Sequence, residues 1–451
     1  KKSDLYIVAF SKINFSLPFS EIILTDSSLS ELRNKHIKIE ENITNLNKSL
    51  NKYSGSKKQI NDLNNNAIDK LDYEIVKGGM NEINNISLLQ GYIPVDKKEK
   101  IILLATKNGW GYKIENIKDE DNPPTLLRNP KWINPIKSAF DVIAVVPGYK
   151  ELDVSAVFLI FLSIFFAFII GDAGYGLLFL TASLWAKFKL KGKKVQTALS
   201  LLIIMSSSTV IFGALTGNYF GIPIENLPKS LQSLTNPFMT GWDENLNLWN
   251  KKAATNHIMF ICFSIGLIHL SIARLWNFIK KINTPGCLVD IGWFLCSASL
   301  FVFVLQLVIN PSWNWFLTIN EYKLFLLGLG TFFVILGLFM TKAYIGLVTL
   351  FLDVISNFVD IISYIRLYAV GTASLEIALA FNKIALGANL DNKISIGAVL
   401  ILFAGHTLNI VLAVMGVMVH GIRLNTLEFS GHAGIEWAGI NYKPFCKISD
   451  K

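Results

Sequence analysis

The chain has 451 residues, 52% of them apolar, a mean hydropathy of +0.43 and a formal net charge of +9. These averages hide two zones: residues 1 to about 150 are rich in Lys, Asn and Glu, and from Val154 onward apolar runs recur, several reaching the ~20 residues that a spanning helix needs. The composition argues against a wholly water-soluble protein. The positive charge does not point to nucleic acid either, because the Lys clusters lie beside apolar runs, as positive-inside topology places them.

Leu5 to Phe10 and Glu21 to Leu24 read as strands, and Asp26-Ser-Ser-Leu-Ser-Glu31 offers helix caps with an acidic first turn. Leu32, Ile39, Ile43, Leu46, Leu50 and Tyr53 follow a heptad-like spacing, which Ser54-Gly-Ser56 interrupts and Ile60, Leu63, Ala67 and Leu71 resume. That pattern predicts an antiparallel helical hairpin. Ile86 to Val95 and Gly111 to Ile117 read as strands flanking a helix from about Asp96 to Lys107. Residues 1–120 are therefore expected to form a soluble α/β lobe with a helical-hairpin arm. Its role is expected to be structural, docking a partner or packing on itself. Ser54-Gly-Ser-Lys-Lys58 lacks the leading glycine of a phosphate loop and follows a helix, so no nucleotide site is expected. Prolines mark residues 121–153 as a linker. The chain opens without a secretory signal and without Met, as a processed chain or a fragment would.

The apolar zone, residues 154–430, lays out as eight helices, near 155–170, 174–188, 196–217, 255–275, 287–309, 322–341, 345–382 and 395–427, the last two long. The fold class is thus mainly α: a polytopic helical membrane domain behind the soluble lobe, with a tail from 431 to 451. The first two helices are short and turn at Gly171-Asp-Ala-Gly-Tyr-Gly176. There Asp172 reads as a cap for free amides more readily than as a channel group. With the soluble zone in the cytoplasm, Lys187 to Lys194, Arg274, Lys280, Lys281 and Lys342 fall on that side, and the loop near 221–249 lies outside. Cys262, Cys287, Cys296 and Cys446 show no metal-ligand spacing and read as packing residues.

The last two segments carry the chemistry. Asp353, Ser356, Asn357, Asp360, Ser363 and Tyr364 fall within roughly 120° of helical arc, with Arg366 beside that stripe. His406, Asn409, Ala413, Gly416, His420 and Arg423 fall within roughly 100° on the next segment. A guanidinium at mid-bilayer costs ~3 kcal/mol or more, so two of them on adjacent polar faces describe a wet path for a negative charge. The bland alternatives are that Arg366 pairs with Asp360 or Glu376 as helix glue and that Arg423 snorkels to the surface. His406 and His420 are too far apart for a shared metal and read as polar lining.

At these residues the sequence resembles a known family over nearly its whole length: the membrane subunit a, or subunit I, of V-type and A-type rotary ATPases. The resemblance rests on Gly91-Tyr-Ile-Pro94, Asn122-Pro-Pro-Thr125, Gly171-Asp-Ala-Gly-Tyr-Gly176, Leu215-Thr-Gly-Asn-Tyr-Phe-Gly221, Ser363-Tyr-Ile-Arg-Leu-Tyr-Ala-Val-Gly371 and His420-Gly-Ile-Arg-Leu-Asn-Thr-Leu-Glu-Phe429. It implies that Arg366 and Arg423 are the family's paired channel arginines and Glu428 the acid after the second. Asp353, Asn357, Asp360, Tyr364, His406, Asn409 and His420 are then lining. Two departures stand out. The soluble domain is shorter than usual, and Ser374 and Ala413 stand where eukaryotic forms carry a His and a Glu. The resemblance further implies a stator subunit with two half-channels for proton or sodium, driven by ATP chemistry elsewhere in the complex. Its partners would be a proteolipid ring, peripheral-stalk subunits, a central-stalk coupling subunit and membrane lipid. No cofactor or metal is implied, and the setting would be a bacterial inner membrane. The rival reading, a secondary transporter, predicts internal repeats with a midplane site in each half, and the charged stripes lie only at the end of the chain.

Overall fold

The computed structural model describes residues 28–83, 86–118, 121–243, 248–387 and 395–447. The strands expected at Leu5 to Phe10 and Glu21 to Leu24 lie outside the described residues. Two compact units partition the chain, one of residues 1–93 with 443–451 and one of residues 94–442.

In the first unit α1 (Leu29–Gly78) is a single helix of 50 residues. Its start is a capping box: Glu31 N–H donates to Ser28 Oγ at 3.3 Å and Ser28 N–H to Glu31 Oε2 at 3.1 Å. The expected hairpin is therefore corrected, because the helix runs unbroken through Ser54-Gly-Ser56. One interior glycine costs a helix only ~1 kcal/mol, too little to stop it without a proline. Ile39, Ile43, Leu46 and Leu50 stand exposed along it. A small antiparallel ribbon follows, β1 (Asn81–Ile83) with β2 (Ile86–Leu88), in the register Asn81↔Leu88. The strand expected to reach Val95 stops at Leu88, where its three-residue partner ends.

The second unit opens with α2 (Lys98–Asn108), close to the expected helix. Arg128 donates to both Asp96 oxygens, at 2.9 and 2.7 Å, and these hydrogen bonds hold the Asp96 carboxyl below its ordinary range. Gly111 to Ile117 forms no strand. An isolated strand has no ladder to satisfy its backbone. After α3 (Lys137–Ile143) come α4 (Ser155–Ile170), α5 (Ala173–Lys189) and α6 (Lys193–Thr216). Short helices α7 (Lys229–Gln232) and α8 (Pro237–Thr240) precede α9 (Lys251–Lys280), α10 (Cys287–Val308) and α11 (Asn314–Met340). The expected seventh segment is two helices, α12 (Tyr344–Ser363) and α13 (Ile365–Leu386), broken at Tyr364. The eighth is α14 (Ile396–Gly416), continued by π-helical turns at Val417–Gly421 and Leu424–Phe429 and by α15 (Ser430–Ala433).

Six helical stretches among the described residues are long and apolar enough to cross a membrane, counting α12 with α13 and α14 with its continuation as one each. Helix α4 is too short for that length, and it forms the heart of the unit, with Phe158, Phe165, Ile169 and Ile170 essentially inaccessible. It ends at Gly171, whose φ of +63° suits glycine, and Asp172 immediately caps α5. Tight helix contacts are made by glycines. Gly292 and Gly330 let α10 and α11 meet backbone to backbone, as small residues do within membranes. The tail folds back on the linker: Thr125 N–H donates to Ile440 O at 2.7 Å and Gly439 N–H to Val146 O at 3.0 Å. Trp437 packs beside Phe140 and Phe158.

Candidate functional site

The break between α12 and α13 sets the site. Tyr364 N–H bonds Ile361 O at 3.3 Å and Leu367 N–H bonds Tyr364 O at 3.1 Å, a three-residue spacing that interrupts the α-helical ladder. The Ser363 carbonyl instead accepts from Arg366 Nε at 2.9 Å. That bond orients the guanidinium so that Nη2 donates to Glu428 Oε1 at 2.5 Å. Arg423 Nε stands 3.6 Å from the same oxygen. The Glu428 side chain is 5% exposed, that of Arg366 23% and that of Arg423 56%. Two guanidiniums thus share one carboxylate, and Arg423, the more exposed of the two, also borders the cavity that Asp353 and Asp360 line. Arg423 lies between the two π-helical stretches, and such widened turns are frequent where a helix must re-aim a functional side chain.

A cavity of about 490 Å³ opens beside this cluster, lined among others by Asp353, Asn357, Asp360, Arg423, Glu428 and His432. Arg274 and Trp293 also line it, with the guanidinium 5.5 Å over the indole ring. Arg274 Nη2 lies 2.7 Å from His432 Nδ1, and His432 Nε2 lies 3.0 Å from Asp360 Oδ2. Because arginine only donates, Nδ1 accepts, so the ring proton sits on Nε2 and points at Asp360. Thr349 donates to Asp353 Oδ2 at 2.9 Å, and Asn357 donates to Ser297 Oγ at 3.0 Å.

A second polar cluster lies farther along α13 and α14. Tyr175 OH is 2.6 Å from His406 Nδ1, and His406 Nε2 is 3.1 Å from Asn382 Oδ1. Asn382 Nδ2 spends its hydrogens on Phe220 O and Gly221 O, at 2.7 and 3.1 Å. Its oxygen must therefore accept from His406 Nε2–H, and the Tyr175 hydroxyl then donates to Nδ1. Asn409 Nδ2 donates to the Tyr175 hydroxyl oxygen at 3.1 Å and to Ser374 O at 2.8 Å, while Ser374 Oγ donates to Asn409 Oδ1 at 3.1 Å. From Arg366 the axial distance is ~12 Å to Ser374 and ~24 Å to Asn382, at 1.5 Å per residue. Between the clusters lies an apolar contact: Gly416 rests on Val370 and Ile169, and Ala413 and Val417 are buried.

Of the residues anticipated from sequence, Arg366, Arg423 and Glu428 meet in one cluster, and Asp353, Asn357 and Asp360 line the adjoining cavity. His406 and Asn409 belong to the second cluster. Tyr364 is fully buried and its hydroxyl faces His269 at 2.9 Å rather than the cavity. His420 Nδ1 is buried without a hydrogen-bond partner. The partner of Arg366 is Glu428 and not Asp360 or Glu376. Asp172 is a cap: Oδ1 accepts from Gly174 N–H at 2.7 Å and Tyr175 N–H at 3.1 Å, and Oδ2 from Gly221 N–H at 3.2 Å. Sequence reasoning missed Arg274, His432, Tyr175, Asn382 and Ser374 as members of these networks. Arg274 offered the same signal as Arg366, a guanidinium within an apolar run, but was absorbed into the loop charges. His432 lay past the last apolar run.

No family model matches the chain. It is 32% identical to V-type ATP synthase subunit I of Borreliella burgdorferi over 470 residues, 99% of this chain and 74% of that protein. The chain belongs to the V-type/A-type ATP synthase subunit I family. Subunit I 1 of Treponema pallidum is 32% identical over 81% of this chain, and A-type subunit I of Methanocaldococcus jannaschii is 27% identical over 79%. The chain spans 58% and 54% of those two proteins' lengths. As a subunit I, it is an integral membrane protein of a rotary ATPase, and the six apolar stretches have the length and composition of its spans.

Proposed function

We propose that this chain is the stator half of an ion path, in which Arg366 meets carboxylates carried by a rotating proteolipid ring. The observation that carries this reading is the Arg366–Glu428–Arg423 cluster, with two guanidiniums to one carboxylate. A passing carboxylate offers these two guanidiniums a second anionic partner. While it faces lipid, such a group must be neutral, by proton or bound cation. Opposite a guanidinium its ionised form is favoured, so it releases its ion there and reloads beyond. Arginine stays protonated and does not pass the proton on, so it blocks a short circuit.

The cavity at Asp353, Asn357 and Asp360 serves as one half-channel, on the cytoplasmic side, and the cluster of Tyr175, His406, Asn382, Asn409 and Ser374 marks the other. Val370, Ala413 and Val417 support the separation, since an apolar layer denies water a continuous column. Residues 1–120 act as stator attachment through peripheral-stalk subunits, and ATP is handled by other subunits of the complex. Reconstituted complexes carrying Arg366→Gln test the proposal, with ion transport and ATP hydrolysis assayed in H⁺ and in Na⁺ buffers. Transport is expected to vanish from assembled complexes. Normal transport would make Arg366 a structural ion-pair partner and end this reading.

A further inference from the structure

His269 is not accounted for by the ion path. It sits on α9, wholly buried, in a slot between two aromatic rings: Phe161 of α4, with centroids 3.9 Å apart and planes at 19°, and Phe429, at 4.4 Å and 5°. Its Nδ1 is 2.9 Å from the hydroxyl of Tyr364, which is also wholly buried. Its Nε2 is buried without a hydrogen-bond partner. Whichever nitrogen carries the proton, one polar atom of the ring is buried unsatisfied, which is destabilising. An apolar side chain would avoid that penalty, so packing alone does not explain a histidine here.

The two residues that His269 grips flank the charged pair. Tyr364 is the break residue, two positions before Arg366, and Phe429 directly follows Glu428. One turn before His269, Gly266 gives the Tyr364 ring its place: a Cβ there would lie 2.6 Å from Tyr364 Cγ. Helix α9 therefore offers Tyr364 a flat seat and a hydrogen bond, and offers Phe429 a stacking partner. Stacking fixes the distance between Phe429 and the ring, and the hydrogen bond fixes how Tyr364 is turned. Together they decide where the Ser363 carbonyl, and hence Arg366, stands relative to Glu428.

We infer that His269 is a positioning residue for ion translocation, setting the register of Arg366 against Glu428 through its bond to Tyr364 and its stack on Phe429. The inference rests on the role proposed for Arg366. It predicts that the bond matters beyond the packing. His269→Phe keeps a flat ring in the slot and removes the bond from one side, and Tyr364→Phe keeps the ring against Gly266 and removes it from the other.

The test measures ions moved per ATP hydrolysed by reconstituted complexes carrying each variant, the double variant or Arg366→Gln. That ratio does not depend on how much complex assembles, because both quantities scale with the number of intact complexes. Each single variant is expected to lower the ratio on the order of tenfold, as sub-ångström to ångström misplacement of a functional group does. The double variant should be no worse than either single one, because all three lose the same bond. A wild-type ratio in Tyr364→Phe overturns the inference whatever His269→Phe does, and so do additive losses in the double variant. If Arg366→Gln itself transports normally, the reading of Arg366 fails and takes the inference with it. If Arg366→Gln abolishes transport while Tyr364→Phe does not lower the ratio, the inference alone falls.

Discussion

Arg366 Nη2 and Glu428 Oε1 are 2.5 Å apart although 62 residues separate them in the chain, and the two partners differ in burial, 23% against 5% exposed. Removing either partner strands the other, but not equally. Arg366→Gln leaves a buried carboxylate with only Arg423, 3.6 Å away. Breaking such a pair costs about 3 kcal/mol. Glu428→Gln leaves Arg366 enough exposure to hydrate, so its loss should be smaller by about 1 kcal/mol or more. Denaturant titration of the purified subunit in detergent measures the order, and the reverse order would show that Arg423 already satisfies Glu428.

Gly266 and Gly328 provide a matched pair on helix interiors. A methyl group at Gly266 meets the Tyr364 ring, whereas one at Gly328 meets nothing within 4 Å. Gly266→Ala is expected to destabilise by about 1–3 kcal/mol through overpacking. Gly328→Ala should be neutral or stabilising by up to ~1 kcal/mol from helix propensity. Thermal melts of the two variants separate the effects.

Asp172 holds three backbone amides across the turn between α4 and α5 and the loop at Gly221. Asp172→Ala should cost about 2 kcal/mol, the upper end for loss of a cap, because buried amides are left unpaired. Asp172→Asn keeps an accepting oxygen and should recover more than half of that. Equal losses for Ala and Asn, read by denaturant titration, would mean that the charge and not the capping oxygen is what counts.

Asp353 and Asp360 place two carboxylates at the cavity beside Arg423. Their field raises the local concentration of cations, and salt screens it. The double variant Asp353→Asn with Asp360→Asn should slow ATP-driven transport on the order of tenfold at low ionic strength. The deficit should shrink as salt is raised. In Asp360→Asn the amide oxygen would still accept from His432 Nε2–H, so the geometry is retained. A deficit that does not change with salt would indicate lost structure instead of lost steering.

Much of the helical layout was legible because its signals are local. Helix α4 was placed from its apolar run to the residue, and the Ser28 cap and the Asp172 cap were anticipated from residues within one turn of the atoms they satisfy. Charges inside apolar runs, Arg366 and Arg423, declare themselves by their cost in such surroundings. The helical hairpin was misread for a related reason. Ser54-Gly-Ser56 weakens a helix only slightly, and whether a weak point becomes a turn depends on what packs nearby.

What the sequence alone determined is therefore the rough extent of the apolar stretches, part of their capping chemistry and the presence of costly charges among them, since periodicity and capping act over a few residues. Tertiary structure alone decided that α12 and α13 break at Tyr364, that Arg366 pairs with Glu428, that Arg274 orients His432 toward Asp360, and that His406 lies between Tyr175 and Asn382. Those pairs join residues 24 to 231 positions apart. A hydrogen bond forms only where donor and acceptor come within about 3 Å, and that approach is set by how whole helices pack, which no window along the chain contains.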